Sequence, residues 1–250
     1  MKPIKKLTII PNNYKSNLNQ RKEVKHNKSI SVVILILISL FQYLNATQVT
    51  DYVDKSKCDQ IVDMQLYQIC YSYKNKGALS GWVTLDGKLQ SGEGIKKRPK
   101  FYGEPTIPMK YRTKPADYNG FGDDWNRGHF IVADADLDYD IKALNKAYTM
   151  ANIIPQSAPM NQKTWTKVEK YGRILAQKLG TINSISIAKY DNPNQMIGNN
   201  IVIPTKIYRI YYNNDAKFEK CFEYENRLDI NWRNDNLRDH EINCKNLRLK

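Results

Sequence analysis

Histidine is scarce in this chain, with three in 250 residues, which leaves few places where an imidazole could do chemistry. His26 lies in a basic leader and His240 in a polar tail, so His129 is the one in the middle of the chain. No C-x-x-C spacing occurs and only His240 is near a cysteine, which argues against a zinc site. The acidic stretch Asp134, Asp136, Asp138 and Asp140 alternates oxygen donors as a calcium loop does. It lacks the glycine and the closing glutamate of an EF-hand and reads as a solvated loop. The longest charge-free apolar run, residues 30–44, is shorter than the about 20 residues that a membrane-spanning helix needs. No internal repeat is visible.

What is abundant is positive charge. The formal net charge is +14, and residues 1–29 hold eight Lys and Arg against one Glu, so +7 sits in the leader and +7 remains for residues 47–250. A moderately basic domain attracts polyanions, above all nucleic acid or an anionic membrane, although a merely soluble basic protein has the same balance. The leader followed by residues 30–44 has the order of a signal peptide, with Ala46 at a plausible cleavage point. Leu44 fits that cleavage site imperfectly, and an uncleaved N-terminal membrane anchor is the alternative. The sequence thus divides into 1–46, leader and signal peptide or anchor, and 47–250, one exported domain, periplasmic or secreted. Length is enough for one sizeable core. Four cysteines, Cys58, Cys70, Cys221 and Cys244, all follow the leader and fit an oxidising compartment. Local pairs, Cys58 with Cys70 and Cys221 with Cys244, are the simplest of three connectivities.

Residues 47–76 carry Ile61, Met64, Leu66 and Ile69 at near-helical spacing and are expected to form a short helix or irregular arm. Residues 81–89 read as a strand entering an Asp-Gly turn. Lys96, Lys97 and Arg98 form a basic cluster, and the Pro- and Tyr-rich residues 104–119 a long loop. The apolar runs 130–133 and 148–154 suit buried extended segments, and residues 163–179, stopped by Gly180, form the clearest helix. Residues 184–188, 201–203, 207–212 and 217–224 follow as strands. Strands without regular helical crossovers predict an α+β domain with a central, largely antiparallel sheet.

Between Asp123 and Glu169 the chain gathers the groups that phosphodiester hydrolysis requires: a base for water, cationic charge for phosphate, and help for the leaving oxygen. His129 is the candidate base, although a lone histidine is usually structural. Arg127, two residues earlier on an extended chain, shares its face and can hold a phosphate by forked hydrogen bonds. Its bland reading is a surface arginine by a turn. Asn161 precedes the long helix, where an Asn commonly caps, or offers a carboxamide oxygen to a hard cation. Glu169, about 12 Å further along an ideal helix, would hold water around such an ion, or is an ordinary helical glutamate.

Asn126-Arg127-Gly128-His129, then Asn152-Ile153-Ile154-Pro155-Gln156, then Asn161, Trp165 and Glu169, resembles the signature of the DNA/RNA non-specific endonuclease family of ββα-metal nucleases. The likeness is strong over residues 81–179, reaches upstream to Arg98 and Pro99, and the cysteine-bearing ends resemble a bacterial exported branch. It implies a ββα-metal motif with a long active-site helix, and Mg2+-dependent hydrolysis of DNA and RNA with 5'-phosphate products. Mn2+ is a possible substitute. It further implies His129 as general base, Asn161 as the direct protein ligand of the metal, Glu169 one layer behind it, and Arg127 and Arg98 on the phosphate. Gln156 and Trp165 are expected to brace the site. Nucleic acid is the expected partner, with no stable protein partner. The family's leading Asp is Asn126 here, and the alternative expectation is a non-catalytic exported nucleic-acid binder.

Overall fold

A computed structural model describes residues 46–249. The leader and apolar run assigned to a signal peptide or anchor, residues 1–45, lie outside the described residues. The strands are β1 (Gln60–Asp63), β2 (Tyr67–Ser72), β3 (Gly77–Asp86), β4 (Trp125–His129), β5 (Ile153–Ser157), β6 (Thr181–Lys189), β7 (Met196–Ile197), β8 (Ile201–Val202), β9 (Lys206–Asn213), β10 (Phe218–Glu225) and β11 (Glu241–Ile242). The α-helices are α1 (Asp134–Leu137), α2 (Ile141–Ala147) and α3 (Trp165–Leu179). Seven strands form one sheet in the order β1-β2-β3-β6-β9-β10-β11, with every neighbouring pair antiparallel. Strands β4 and β5 pair separately, as do β7 and β8. The expected α+β class and largely antiparallel sheet are what the chain adopts.

Period-two alternation sorts the central strands into two faces. Ile207 and Tyr211 of β9 enter the main core with α3, while Tyr208, Ile210 and Tyr212 enter a second cluster with Tyr52, Val53 and Cys221. Both faces are thus covered, so β9 is buried along almost its whole length. On the α3 face the approach is close. Tyr211 donates its hydroxyl to the Val168 carbonyl at 2.9 Å, and a Cβ on Gly172 would come within 2.5 Å of that hydroxyl oxygen. Helix α3 ends at Gly180, whose φ of +84° suits glycine.

Three expectations fail. Residues 47–76 form two 3-10 turns and the β1–β2 hairpin, not a helix or an irregular arm. The apparent stripe splits across the pleat: Val62 and Ile69 are buried, while Ile61 and Leu66 are over a third exposed. The acidic stretch is no solvated loop, because Asp134–Leu137 is helical and Asp136 is 2% exposed, paired with Arg173 at 2.9 Å. Finally, the apolar run 148–154 is not extended throughout, because Met150–Asn152 is a 3-10 turn and β5 begins only at Ile153, while the run 130–133 is buried beyond the end of β4 at His129. Both disulfides join the local pairs, Cys58–Cys70 and Cys221–Cys244.

Candidate active site

Strands β4 and β5 set the register of the site: Asn126 lies opposite Gln156, Arg127 opposite Pro155, Gly128 opposite Ile154 and His129 opposite Ile153. Pro155 is tolerated because β5 pairs with one strand only. Gln156 is fully buried and crosses Gly128 to donate its side-chain amide to the His129 carbonyl at 3.1 Å. A Cβ on Gly128 would stand 2.4 Å from the Gln156 side chain. The glycine between Arg127 and His129 therefore makes room for a protein side chain, where the sequence suggested close approach of a ligand.

Arg127 and His129 do share a face, with Phe101 between them. The Arg127 guanidinium lies 5.3 Å from the Phe101 ring centre, and the imidazole 5.7 Å from it. Tyr148 meets the imidazole edge-on at 5.3 Å. His129 Nε2 is enclosed and has no hydrogen-bond partner. Burial holds the His129 pKa below its usual value; Asp134 and Asp136 oppose the shift and Arg98 adds to it. A neutral imidazole is the form that can take a proton.

Asn161 does not cap α3. It sits in a π-helical turn, Met160–Thr164, that leads into the α-helix, and its side-chain amide donates to Asn126 Oδ1 at 3.1 Å. Gln162 donates to the same oxygen at 2.9 Å, and Asn126 donates its own amide to the Gly122 carbonyl at 2.7 Å. This orients Asn161 and leaves its Oδ1 uncommitted. Asn126, Arg127 and Asn161 line one open cavity of about 400 Å3 together with Phe101. His129 and Glu169 do not line it; His129 joins it through Phe101.

Glu169 is 9% exposed, and burial pushes its carboxyl up to about 8, with Asp136 adding to the rise and Arg209 and Arg173 opposing it. Among the described residues no group of three or more His, Cys, Asp or Glu could hold a metal. The donors at hand are one carboxamide oxygen and one carboxyl that burial leaves poorly stabilised as an anion. That set fits a hard cation that keeps most of its waters. Arg98 is engaged elsewhere: its guanidinium pairs with Asp134 at 3.2 Å and more loosely with Asp138 at 4.0 Å.

Two supports escaped the sequence. Asn152, fully buried, accepts from the Ile131 amide at 2.9 Å and the Val132 amide at 3.3 Å, and donates to the carbonyls of Val132 and Ala147, both at 2.9 Å. Arg209 of β9, 1% exposed, donates to the carbonyls of Ile131 and Phe130, each at 2.9 Å, and to Ser184 at 3.0 Å. Ser186 donates to the Phe130 carbonyl as well, at 2.9 Å. The segment after His129 is thus clamped from both sides. Asn152 stands inside the sequence motif, so its position was legible and its role was not. For Arg209 the signal was a charge inside the otherwise apolar and aromatic run 207–212. His240 is structural: it bonds to Asp235 and stacks on Tyr224 at 3.8 Å.

A large antiparallel sheet carrying a separate β4–β5 pair that feeds α3, with histidine and asparagine on those elements, defines a ββα nuclease-like α+β fold. The sequence profile of the DNA/RNA non-specific endonucleases matches residues 45–246, and the chain belongs to that family. It is similar to human mitochondrial endonuclease G, 28% identical over 168 residues, covering 60% of this chain and 54% of that protein. It is also similar to nuclease C1 of Cunninghamella echinulata, 25% identical over 182 residues, covering 66% of this chain and 70% of that protein. The chain thus spans about half the length of the mitochondrial relative. In fold it resembles a chain from the crystal structure of the EndoG/EndoGI complex, with a TM-score of 0.68 at 16% identity, over 80% of this chain and 86% of that one.

Proposed function

We propose that the protein is an exported, Mg2+-dependent endonuclease that hydrolyses DNA and RNA with little sequence preference and leaves 5'-phosphate ends. The observation that carries this reading is the Asn126–Asn161 hydrogen bond, which leaves the Asn161 carboxamide oxygen uncommitted in the cavity that Arg127 also lines. A divalent cation held by Asn161, with Glu169 behind it, would supply positive charge against the developing phosphorane and the leaving 3' oxygen. Mn2+ suits the same oxygen donors. His129, neutral through burial, takes a proton from the attacking water, and Phe101 and Tyr148 hold the ring in place. Arg127 binds a phosphate oxygen. Arg98 acts on the phosphate less directly, because it also braces the acidic stretch through Asp134. Backbone-directed cations without a base-reading device suit a nuclease of low sequence specificity.

Two disulfides fit the oxidising compartment that export implies. No helix of the described residues is long and apolar enough to cross a membrane. Plasmid incubated with the purified protein and Mg2+, with and without chelator, is expected to be nicked and linearised only when metal is free. The His129→Ala protein is expected to lose at least about a hundredfold, the range of a positioned acid–base group. Undiminished cutting by that variant would remove the mechanism, and tight binding without product from the wild type would select the non-catalytic reading.

A further inference from the structure

A second and larger cavity, of about 900 Å3, lies against Arg98 and is lined also by Met64, Lys97, Tyr102, Ile141 and Lys142. We propose that it is a subsite for one unpaired nucleotide of the strand being cut, with the base against Tyr102 and Ile141 and a phosphate on Lys97 and Lys142. The proposal rests on the nuclease reading and adds to it a preference for unpaired substrate.

Continuity with the catalytic cavity is the first support. The short run from Lys97 to Tyr102 separates the two spaces: Phe101 touches Arg127 and His129 on one side, and Arg98 and Tyr102 line the other. On this reading, a strand whose phosphate lies on Arg127 places its neighbouring nucleotide across that wall. Tyr102 is fixed there by two backbone hydrogen bonds, its amide to the Tyr148 carbonyl at 3.1 Å and its carbonyl from the Met150 amide at 2.8 Å. The platform is therefore formed before anything binds.

Charge is the second support. Two acids and a third lysine also line the space, so its four cations, Lys97, Arg98, Lys142 and Lys146, outnumber Asp63 and Glu104 by two. Glu104 accepts from Thr106 at 2.9 Å and Thr149 at 3.1 Å, and Asp63 accepts from the Gln65 amide at 2.7 Å. Lys146 donates to the Met64 carbonyl at 2.9 Å and to Gln65. Lys97 and Lys142 are exposed and enter no ion pair among the described residues, so the rim keeps two uncommitted cations. They belong to the basic cluster at residues 96–98 and to the start of α2, whose first residue, Ile141, is 52% exposed. An apolar, aromatic floor beneath free ammonium groups suits a planar base joined to a phosphate. A base inside a duplex cannot enter a concave space, because its faces are stacked on its neighbours.

The test uses the cleavage-disabled His129→Ala protein and a fluorescent nine-nucleotide oligothymidylate, read by anisotropy. Adding Tyr102→Ala is expected to weaken binding about fivefold or more, the range of one lost base stack. Adding Lys142→Glu is expected to lower the slope of log affinity against log salt by about 1. A blunt duplex of the same length is expected to change less than twofold with Tyr102→Ala. Ile141→Ala, at an exposed position, repeats the comparison without risk to the fold and is expected to weaken the single strand alone. Unchanged single-strand affinity in all three variants overturns the subsite, as does an equal loss on duplex and single strand. Failure of the wild type to cut plasmid would count against the nuclease reading only, since the binding comparison stands without catalysis.

Discussion

Asn126 accepts two hydrogen bonds that a carboxylate would also accept, from Asn161 and Gln162, and donates one that a carboxylate could not, to the Gly122 carbonyl. The amide therefore keeps the orienting half of the family aspartate's work and loses its charge. Asn126→Asp is expected to raise metal affinity and cleavage by about 10 to 100-fold, the usual weight of groups that hold a ligand in place. It should also cost about 1 kcal/mol of stability through the lost bond. Metal titration followed by cleavage rate, beside a thermal melt, checks both signs. Glu169 carries a pH signature. Its folded pKa is raised from 4.5 to about 8, so the metal-free protein favours the protonated form. That contribution to stability is complete below 4.5 and is lost as pH rises towards 8. His129 runs the other way, because its lowered pKa costs stability as pH falls below its ordinary value. Urea midpoints between pH 5 and 8 for the wild type minus Glu169→Gln should therefore fall with rising pH, and a flat difference would refute the buried-carboxyl account.

At the scale of elements, the β4–β5 pair is held to the sheet through the segment after His129. Asn152 satisfies it from one side and Arg209 with Ser186 from the other. The serines of β6 are buried on the catalytic face because they have these partners, while its isoleucines 185 and 187 face the opposite cluster. Gly128→Ala tests how tightly the pair is fitted. The new methyl meets the buried Gln156 side chain, whose amide holds the His129 carbonyl. A loss of about 1 to 3 kcal/mol is expected, typical of overpacking, together with a fall in kcat larger than any change in KM. Denaturant melts and steady-state kinetics on one plasmid substrate measure the two effects.

For the described residues as a whole, both disulfides act near their two ends and at the margins of the sheet. Cys58–Cys70 closes a separation of 12 residues and ties the β1–β2 hairpin, and Cys221–Cys244 closes 23 and draws the C-terminal segment onto β10. On the chain-entropy relation each contributes about 3 kcal/mol. The double substitution Cys58→Ser with Cys70→Ser should lower unfolding free energy by about that amount. Cleavage measured well below the melting temperature should persist, since neither cysteine lies on β4, β5 or α3. A variant that is fully folded yet inactive would place the hairpin in the site.

The sequence by itself determined the class of fold, four of the six strands from Thr181 onward, the long helix and the ordered motif from Asn126 to Glu169, and it missed the short strands β7 and β11. Each of these is written in local pattern: period-two alternation, a three-to-four spacing ended by glycine, and chemistry-bearing residues close along one stretch of chain. The β1–β2 hairpin was hidden because four apolar residues fit a helical stripe by spacing, and only the pairing of β1 with β2 and the packing of one face of that hairpin on the core decided which of them turn inward. The burial of Asp136 depended on Arg173, 37 residues away, and the clamp on the His129 segment on Arg209, about 80 residues away. Tertiary structure alone decided these, because a charge is kept in a core only by the partners that folding brings to it.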